Sequence, residues 1–225
     1  MNVNSDLGEG AGHDEEILSQ IDSANVCCGA HAGSATESIR TARRCAELGV
    51  EVGAHPGYDD RAHFGRLEVE LPPDELEALI RYQVGALAAV ARPGYIKPHG
   101  ALYHHCQANL EAAERLARVA AEHEIGVMGQ PGFGILEACR KLGVKGYREA
   151  FADRAYLPDG RLAPRSHPAS VLGPEAAAEQ ALRLIRSGGF DTICLHGDSP
   201  GAPATAARIR QALEAAGIET APLRR

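Results

Sequence analysis

The chain has 225 residues, 44% of them hydrophobic, and a formal net charge of −7. This length fits one large α/β domain with a sizeable core, and an acidic chain whose basic residues cluster only at its last two positions is a poor partner for nucleic acid. The N-terminus lacks a secretory signal and no apolar run reaches membrane-spanning length, so we expect a cytoplasmic protein without a membrane partner.

Short apolar strands alternate with amphipathic helices through the whole chain. Strands are predicted near residues 2–6, 24–28, 50–54, 94–97, 125–129, 145–149 and 191–195, with a weaker eighth candidate at 218–222. Helices are predicted near 34–48, 74–91, 109–123, 132–142, 174–187 and 202–216. Glycines at 49, 143 and 217 separate helices from the β-forming residues that follow them. This alternation predicts a parallel sheet.

Seven or eight such units within a single domain over residues 1–225 favour a TIM-like (β/α) barrel. A doubly wound open sheet is the alternative, although neither GxGxxG nor GxxxxGK[ST] follows the first strand. In both architectures the functional site lies at the carboxyl ends of the strands.

Charged and imidazole side chains recur at or just after the predicted strand ends. In a barrel they face one end, where they together supply acids, bases and an anion-binding group. They are Asp6, His31, His55, Lys97, His99, His196 and Asp198. For any single histidine beside a glycine or proline, a hydrogen bond within the loop explains the residue equally well. The functional hypothesis therefore rests on the whole group.

Lys97 precedes Pro98, which favours an extended backbone and a defined direction for the ammonium. Its partner is expected to be an anion: a substrate carboxylate, a phosphate or internal Asp6. A lowered pKa that makes the lysine a base is also open at this point. Asp6 is a stronger catalytic candidate than Glu9, because an acid in a glycine-rich turn commonly bonds the backbone of its own loop.

Glu149 ends the sixth predicted strand, and Asp153 and Arg154 open a long loop that contains Arg165 and runs to Pro168. The loop is long enough to cover a barrel mouth as a lid. A solvated connector with surface ion pairs is the plainer alternative.

A divalent metal site is conceivable from Asp6, His31 and His55, since a carboxylate and two imidazoles form a usual hydrolytic ligand set. The spacing does not require it: the chain has no HxH, HxxxH or CxxC pair, and no tightly bound metal is expected. The adjacent Cys27 and Cys28 are expected to pack within a strand rather than react.

Six segments, spread from the first strand to the last, match a known family in order. They are residues 4–10, 23–33, 53–58 with 64–66, 97–103, 149–156 with 164–166, and 194–201. Together they resemble the LamB/YcsF family, the A subunit of bacterial ATP-dependent 5-oxoprolinase. The resemblance implies a seven-stranded barrel of the glycoside hydrolase and deacetylase type.

The resemblance also implies an activity, the opening of 5-oxoproline to L-glutamate with ATP and Mg²⁺, in a complex with subunits B and C. An unstrained lactam is a poor electrophile, so ATP would activate its carbonyl oxygen as a phosphate ester before water attacks. On this basis the catalytic core is expected to comprise Asp6, His31, His55, Lys97 and His99. Substrate-binding or rim positions are expected at Glu9, Glu149, Asp153, Arg154, Arg165, His196 and Asp198.

Within this hypothesis Lys97 contacts an anionic oxygen, Asp6 or His99 transfers protons, and Arg154 binds the substrate carboxylate or a phosphate. Two alternatives stay open. One is a stand-alone metal-dependent deacetylase or amidohydrolase acting on a sugar or small amide. The other is a non-catalytic subunit that binds substrate or serves as a scaffold for its partners.

Overall fold

The computed structural model describes residues 1–167 and 169–223, and its strands confirm the predicted barrel. The strands are β1 (Asn2–Leu7), β2 (Ser23–Cys27), β3 (Glu51–His55), β4 (Tyr95–Ile96), β5 (Gly126–Gly129), β6 (Gly146–Phe151) and β7 (Thr192–His196). Each pairs in parallel with the next along the chain, and β7 pairs with β1 to close the barrel.

All six predicted helices are present, and the described residues form two more α-helices, one before the first predicted helix and one between the second and the third. The helices are α1 (Asp14–Leu18), α2 (Ala35–Leu48), α3 (Pro73–Ala88), α4 (Gly100–Ala108), α5 (Leu110–Glu122), α6 (Gly134–Leu142), α7 (Pro174–Ser187) and α8 (Ala202–Ala215). The sequence prediction missed α1, which has five residues, and α4, which begins at a Pro-His-Gly stretch typical of a turn. Among residues 1–167 and 169–223, no helix combines the length and apolarity that a membrane crossing requires.

The predicted eighth strand at 218–222 is wrong. Direct pairing of β1 with β7 leaves no gap for another strand. The segment instead crosses the amino-terminal end of the barrel, where the Ala221 N–H donates to the Met1 carbonyl at 2.9 Å. Leu223 then packs against Tyr95, Met128 and Tyr147, so the segment up to Leu223 covers the amino-terminal end of the barrel.

Polar side chains fill the barrel interior below the carboxyl ends of the strands. Asn2, Asn4 and Asp6 alternate along β1 and are all buried. Asn4 Nδ2 donates to Thr192 Oγ1 at 2.7 Å, and its Oδ1 accepts from Asn25 Nδ2 at 2.7 Å. Because buried amides are costly unless bonded, these paired groups fix the register of β1, β2 and β7 and give Asp6 a rigid base.

The space around Tyr95 generates a prediction about stability. A Cβ atom on Gly53 would lie 2.0 Å from Tyr95 Cε2, so Gly53→Ala forces the tyrosine or the strand to move. We expect a loss of about 1–3 kcal/mol in the free energy of unfolding, as for other overpacked cores. Urea unfolding followed by circular dichroism measures this loss.

Gly85→Ala is the matched control, because Gly85 lies inside α3 and a Cβ atom there meets no atom within 4 Å. It is expected to stabilise the protein by about 0.5–1 kcal/mol through helix propensity. Equal effects of the two substitutions would contradict this description of the barrel floor.

Candidate active site at the carboxyl end of the barrel

A cavity of about 650 Å³ opens at the carboxyl ends of the strands. Seven of the predicted site residues line it: Asp6, His55, Lys97, His99, Arg154, Arg165 and His196. The other predicted residues, Glu9, His31, Glu149, Asp153 and Asp198, lie behind the cavity lining and contact residues that line it. The structure therefore brings the polar strand ends together in one place.

Lys97 and Asp6 form a buried ion pair at the centre of this lining. Lys97 Nζ lies 2.5 Å from Asp6 Oδ1 and 3.1 Å from Cys194 Sγ, and the lysine is 2% exposed. Burial by itself lowers the pKa of Lys97, but the Asp6 carboxylate outweighs burial and holds that pKa well above its usual value. The lysine is therefore paired with Asp6, the internal partner among the three anions that the sequence left open, and its raised pKa favours the ammonium form.

Asp6 is held as an anion by the same surroundings. Burial raises the pKa of Asp6, but His55 and Lys97 outweigh it and keep the pKa well below the usual range. Asn25 Nδ2 also donates to Asp6 Oδ1, at 2.8 Å. The other oxygen, Oδ2, lies 3.5 Å from His55 Nε2 and 4.0 Å from His196 Nε2.

Glu149 lies inside the barrel, not on its rim as the sequence predicted. It is fully buried, and its Oε1 lies 3.8 Å from Lys97 Nζ and 3.5 Å from Asn4 Nδ2. Burial raises its pKa, and the nearby Lys97 only partly opposes that effect. Successive side chains along β6 point to opposite faces of the sheet. Because the Arg148 side chain is exposed, the next residue, Glu149, faces the barrel interior.

Glu9 and three histidines form a second buried group beside the ion pair. Glu9 Oε1 lies 3.2 Å from His31 Nε2, 3.2 Å from His99 Nδ1 and 3.6 Å from His55 Nε2. One donor atom from each of these four residues lies within 4.8 Å of the others. Glu9 thus binds histidines from other loops rather than only its own backbone, and it replaces Asp6 in the carboxylate–histidine group that the sequence suggested.

The histidines of this group have very different proton affinities. Burial lowers the pKa of His31 to about 3 and also lowers that of His99. For His55, burial is outweighed by Asp6 and Glu9, and the pKa rises to about 9. The raised pKa therefore favours the cationic form of His55 beside the Asp6 and Glu9 carboxylates.

Two glycines make room for these rings. A Cβ atom on Gly57 would lie 2.5 Å from His31 Nδ1, and one on Gly65 would lie 2.7 Å from His31 Cβ. Gly65 and the preceding Phe64 both have positive φ angles, of 65° and 58°. This unusual turn brings the Phe64 carbonyl to His99 Nε2 at 2.8 Å.

Asp153 and His196 form a carboxylate–imidazole pair at the edge of the cavity. His196 Nδ1 lies 3.0 Å from both carboxylate oxygens of Asp153, and the backbone N–H of His196 donates to Asp153 Oδ2 at 2.9 Å. Burial raises the pKa of Asp153, but His196 outweighs it and the net pKa is lowered. The ionised carboxylate fixes the proton on Nδ1 and leaves Nε2 directed at the cavity side, where it nears Asp6.

The loop after β6 covers the cavity, as predicted from the sequence for residues 153–168. Pro168 lies outside the described residues. The loop pairs Arg154 with Val171 and Tyr156 with Leu162 as isolated bridges. Arg154 Nη2 donates to the Ala163 carbonyl at 2.6 Å. These bonds hold the base of the loop against the cavity, whereas its tip at residues 158–161 is exposed and carries the surface ion pair between Asp159 and Arg161.

Arg66 is the main cavity residue that sequence reasoning did not propose for the site. Its guanidinium pairs with Asp198, which also lies 3.3 Å from Arg165 Nη1. Asp198 therefore holds two arginines at the cavity edge without lining the cavity itself. The available signal was the segment 64–66, which carries part of the family resemblance.

Known proteins of similar sequence match nearly the whole chain. The A subunit of 5-oxoprolinase from Chloroflexus aggregans is 44% identical over 243 residues, covering 97% of this chain and 96% of that protein. The protein of the same name from Neisseria meningitidis serogroup C is 43% identical, covering 97% and 98% of the two chains.

Solved structures agree with the fold. The lactam utilization protein from Thermus thermophilus has a TM-score of 0.91 and 40% identity, over 99% of both chains. The T48 deacetylase has a TM-score of 0.57 and 13% identity over 99% of this chain and 87% of that one, a likeness that shows a shared barrel fold alone. The LamB/YcsF family model matches residues 1–225, and the chain belongs to the LamB/YcsF family.

Proposed function

We propose that this chain is the A subunit of an ATP-dependent 5-oxoprolinase and that it opens the 5-oxoproline ring in the cavity at the barrel mouth. The observation that carries the proposal is 43–44% identity, over nearly the full length, to proteins named as the A subunit of 5-oxoprolinase. Subunits B and C, ATP and Mg²⁺ complete the proposed enzyme.

The proposed reaction joins water to a lactam carbon. The oxygen of water bonds to the ring carbonyl carbon, the ring C–N bond breaks, and the nitrogen takes up a proton to become the amine of glutamate. Before water attacks, transfer of the terminal phosphoryl group of ATP to the carbonyl oxygen releases ADP and makes that carbon more electrophilic. A further water then releases the phosphoryl group as phosphate.

The cationic side of the cavity suits the anions in this reaction. Arg154 and Arg165 line the cavity beside Arg66, and Asp198 orients the last two. Guanidinium groups bind carboxylates and phosphates through paired N–H donors. We assign these arginines to the substrate carboxylate and to the phosphoryl oxygens, in place of Lys97, whose ammonium is already committed to Asp6.

The Asp153–His196 pair suits proton transfer. Its Nε2 is on the cavity side, and its Nδ1 is fixed by a carboxylate, which is the arrangement of a general acid–base imidazole. Asp6 remains ionised nearby and stabilises the imidazolium that forms. This assignment departs from the sequence-based one, which gave proton transfer to Asp6 or His99.

Reconstitution tests the proposal. The full chain, mixed with its cognate subunits B and C, 5-oxoproline and ATP, is expected to release glutamate, and omission of any one component is expected to stop the release. Glutamate is measured by an enzyme-coupled assay. Amide hydrolysis by the chain alone without ATP would support the deacetylase-type alternative and overturn the proposal.

Lys97→Met is expected to abolish turnover, because it leaves Asp6 and Glu149 without their buried counter-charge. The loss of one partner of a buried ion pair also costs about 3–5 kcal/mol of stability. The double variant Asp6→Asn/Lys97→Met removes both charges and is expected to recover stability but not activity. Lys141→Met is the control, since Lys141 pairs with Glu114 on the surface. Normal glutamate release by a folded Lys97→Met variant would refute the assignment.

Asp153→Asn is expected to lower kcat by roughly 10²–10⁴-fold, because the amide no longer fixes the proton on His196 Nδ1. KM is expected to change little, since Asp153 does not line the cavity. Steady-state kinetics of the reconstituted complex measure both constants. Asp159→Asn is the control, because that exposed carboxylate pairs only with neighbouring Arg161 among the described residues. A KM effect alone would point to substrate binding instead.

The same variant has a predicted pH signature in unfolding. The pKa of Asp153 is lower in the folded protein than in the unfolded chain, so its stabilising effect is present above the unfolded pKa and is lost as pH falls through the folded pKa. The difference between wild type and Asp153→Asn in urea midpoint is therefore expected to be largest near pH 7 and to shrink below about pH 4. A difference that stays constant with pH would show that the carboxylate charge does not contribute.

A further inference from the structure

We propose that Glu9, His55 and His99 bind one divalent cation of the zinc class, and that His31 holds Glu9 in place as a ligand. The proposal concerns ion binding by this chain itself and is independent of the proposed reaction. It departs from the sequence-based expectation of no tightly bound metal.

The spacing of the three donor atoms carries the proposal. Glu9 Oε1 lies 3.2 Å from His99 Nδ1 and 3.6 Å from His55 Nε2, and the two nitrogens are 3.0 Å apart. Tetrahedral zinc, with bonds of about 2.0–2.1 Å to nitrogen and oxygen, separates its ligand atoms by about 3.3 Å. The three atoms therefore match the edges of such a site with shifts of a few tenths of an ångström.

The hydrogen bonds on the far sides of the rings point the lone pairs inward. His55 Nδ1 lies 2.6 Å from the Lys97 carbonyl, and His99 Nε2 lies 2.8 Å from the Phe64 carbonyl. A carbonyl only accepts hydrogen bonds, so each of these nitrogens carries a proton, and in the neutral ring the opposite nitrogen carries a lone pair. Backbone carbonyls commonly orient metal-binding histidines in this way.

Once the proton that His55 otherwise holds is displaced, three electron-pair donors converge on one point. A single proton is shared between only two of these donor atoms, whereas a metal ion accepts an electron pair from all three. Glu9, His55 and His99 are 7%, 1% and 5% exposed, so bulk water does not screen their repulsion. A buried carboxylate with two imidazoles is a ligand set suited to zinc.

His31 belongs to the group but is excluded as a ligand by its orientation. Its ring stacks on His99 with centroids 3.8 Å apart and planes at 8°. An imidazole binds metal within its ring plane, and one ion cannot lie in two parallel planes. His31 Nε2 instead lies 3.2 Å from Glu9 Oε1, where an N–H orients the carboxylate.

Asp6 is also outside the proposed ligand set. Lys97 and Asn25 already donate to its Oδ1, and the lysine neutralises its charge. This separates the proposed site from the Asp6, His31 and His55 set suggested by the sequence. His55 and His99 line the cavity, so an ion at the proposed site is accessible to small molecules there.

Metal binding by the purified full chain tests the proposal. Protein without a histidine tag is stripped with a chelator, dialysed and titrated with Zn²⁺ by calorimetry, and bound metal is counted by mass spectrometry. Co²⁺ serves as a second probe because its visible spectrum reports coordination by nitrogen and oxygen. We expect one ion per chain.

The variants separate ligands from neighbours. Glu9→Gln, His55→Gln and His99→Gln are each expected to weaken Zn²⁺ binding by more than about 100-fold, and His31→Gln by about 10–100-fold. His104→Gln and Asp6→Asn are expected to keep the ion, since His104 lines the cavity outside the group. Thermal unfolding of each metal-free variant shows whether it is folded.

Two results would overturn the proposal. The absence of stoichiometric Zn²⁺ and Co²⁺ at about 0.1 mM metal, a concentration roughly a hundred times a micromolar dissociation constant, would mean that a shared proton satisfies the group. Unchanged binding in folded His99→Gln would place any ion elsewhere.

Discussion

The buried ion pair between Lys97 and Asp6 is the interaction on which the site depends. Both charges are almost fully removed from water, at 2% and 3% exposed, so each is tolerated only because the other lies 2.5 Å away. The pair joins the residue that follows β4 to Asp6 in β1 across the barrel interior. Its geometry therefore depends on the closed barrel, and removal of either charge alone leaves the other buried and unpaired.

The charges around this pair follow from the same constraint. Asp6, Glu9 and Glu149 are three buried carboxylates, whereas Lys97 is the nearby permanent cation. The protein meets the imbalance in two ways. Burial raises the pKa of Glu149, which favours its neutral form, and the pKa of His55 rises to about 9, which favours its cationic form.

Local sequence patterns were sufficient to predict the barrel and the strand-end residues. The two-residue alternation of a strand and the glycine after a helix are encoded within a few positions, so seven strands and six helices were predicted close to their observed bounds. The eighth strand failed because 218–222 has a strand-like composition, and only the closure of β7 onto β1 excludes it. Nothing in the sequence of residues 218–222 indicates that β7 pairs directly with β1.

The partners within the site were less predictable, because they depend on distant parts of the chain. Glu9 lies in a turn whose flanking Gly8 and Gly10 have φ angles of 73° and 83°, and this backbone path carries the carboxylate to His31 and His99. The sequence shows a glycine-rich turn, but it does not show which side chains Glu9 contacts. Glu149 similarly shows a strand end, while its inward direction follows from the register of β6 with β7.

His55 connects the two halves of the site. Its Nε2 lies 3.5 Å from Asp6 Oδ2, 3.6 Å from Glu9 Oε1 and 3.0 Å from His99 Nδ1. A cation beside Glu9 would therefore repel the proton that His55 otherwise holds, and Asp6 would lose one of its two positive neighbours. Charge at the proposed ion site and charge at the Lys97–Asp6 pair are thus coupled through a single imidazole. Substitutions in the two halves should consequently be non-additive, since each changes the charge that the other experiences.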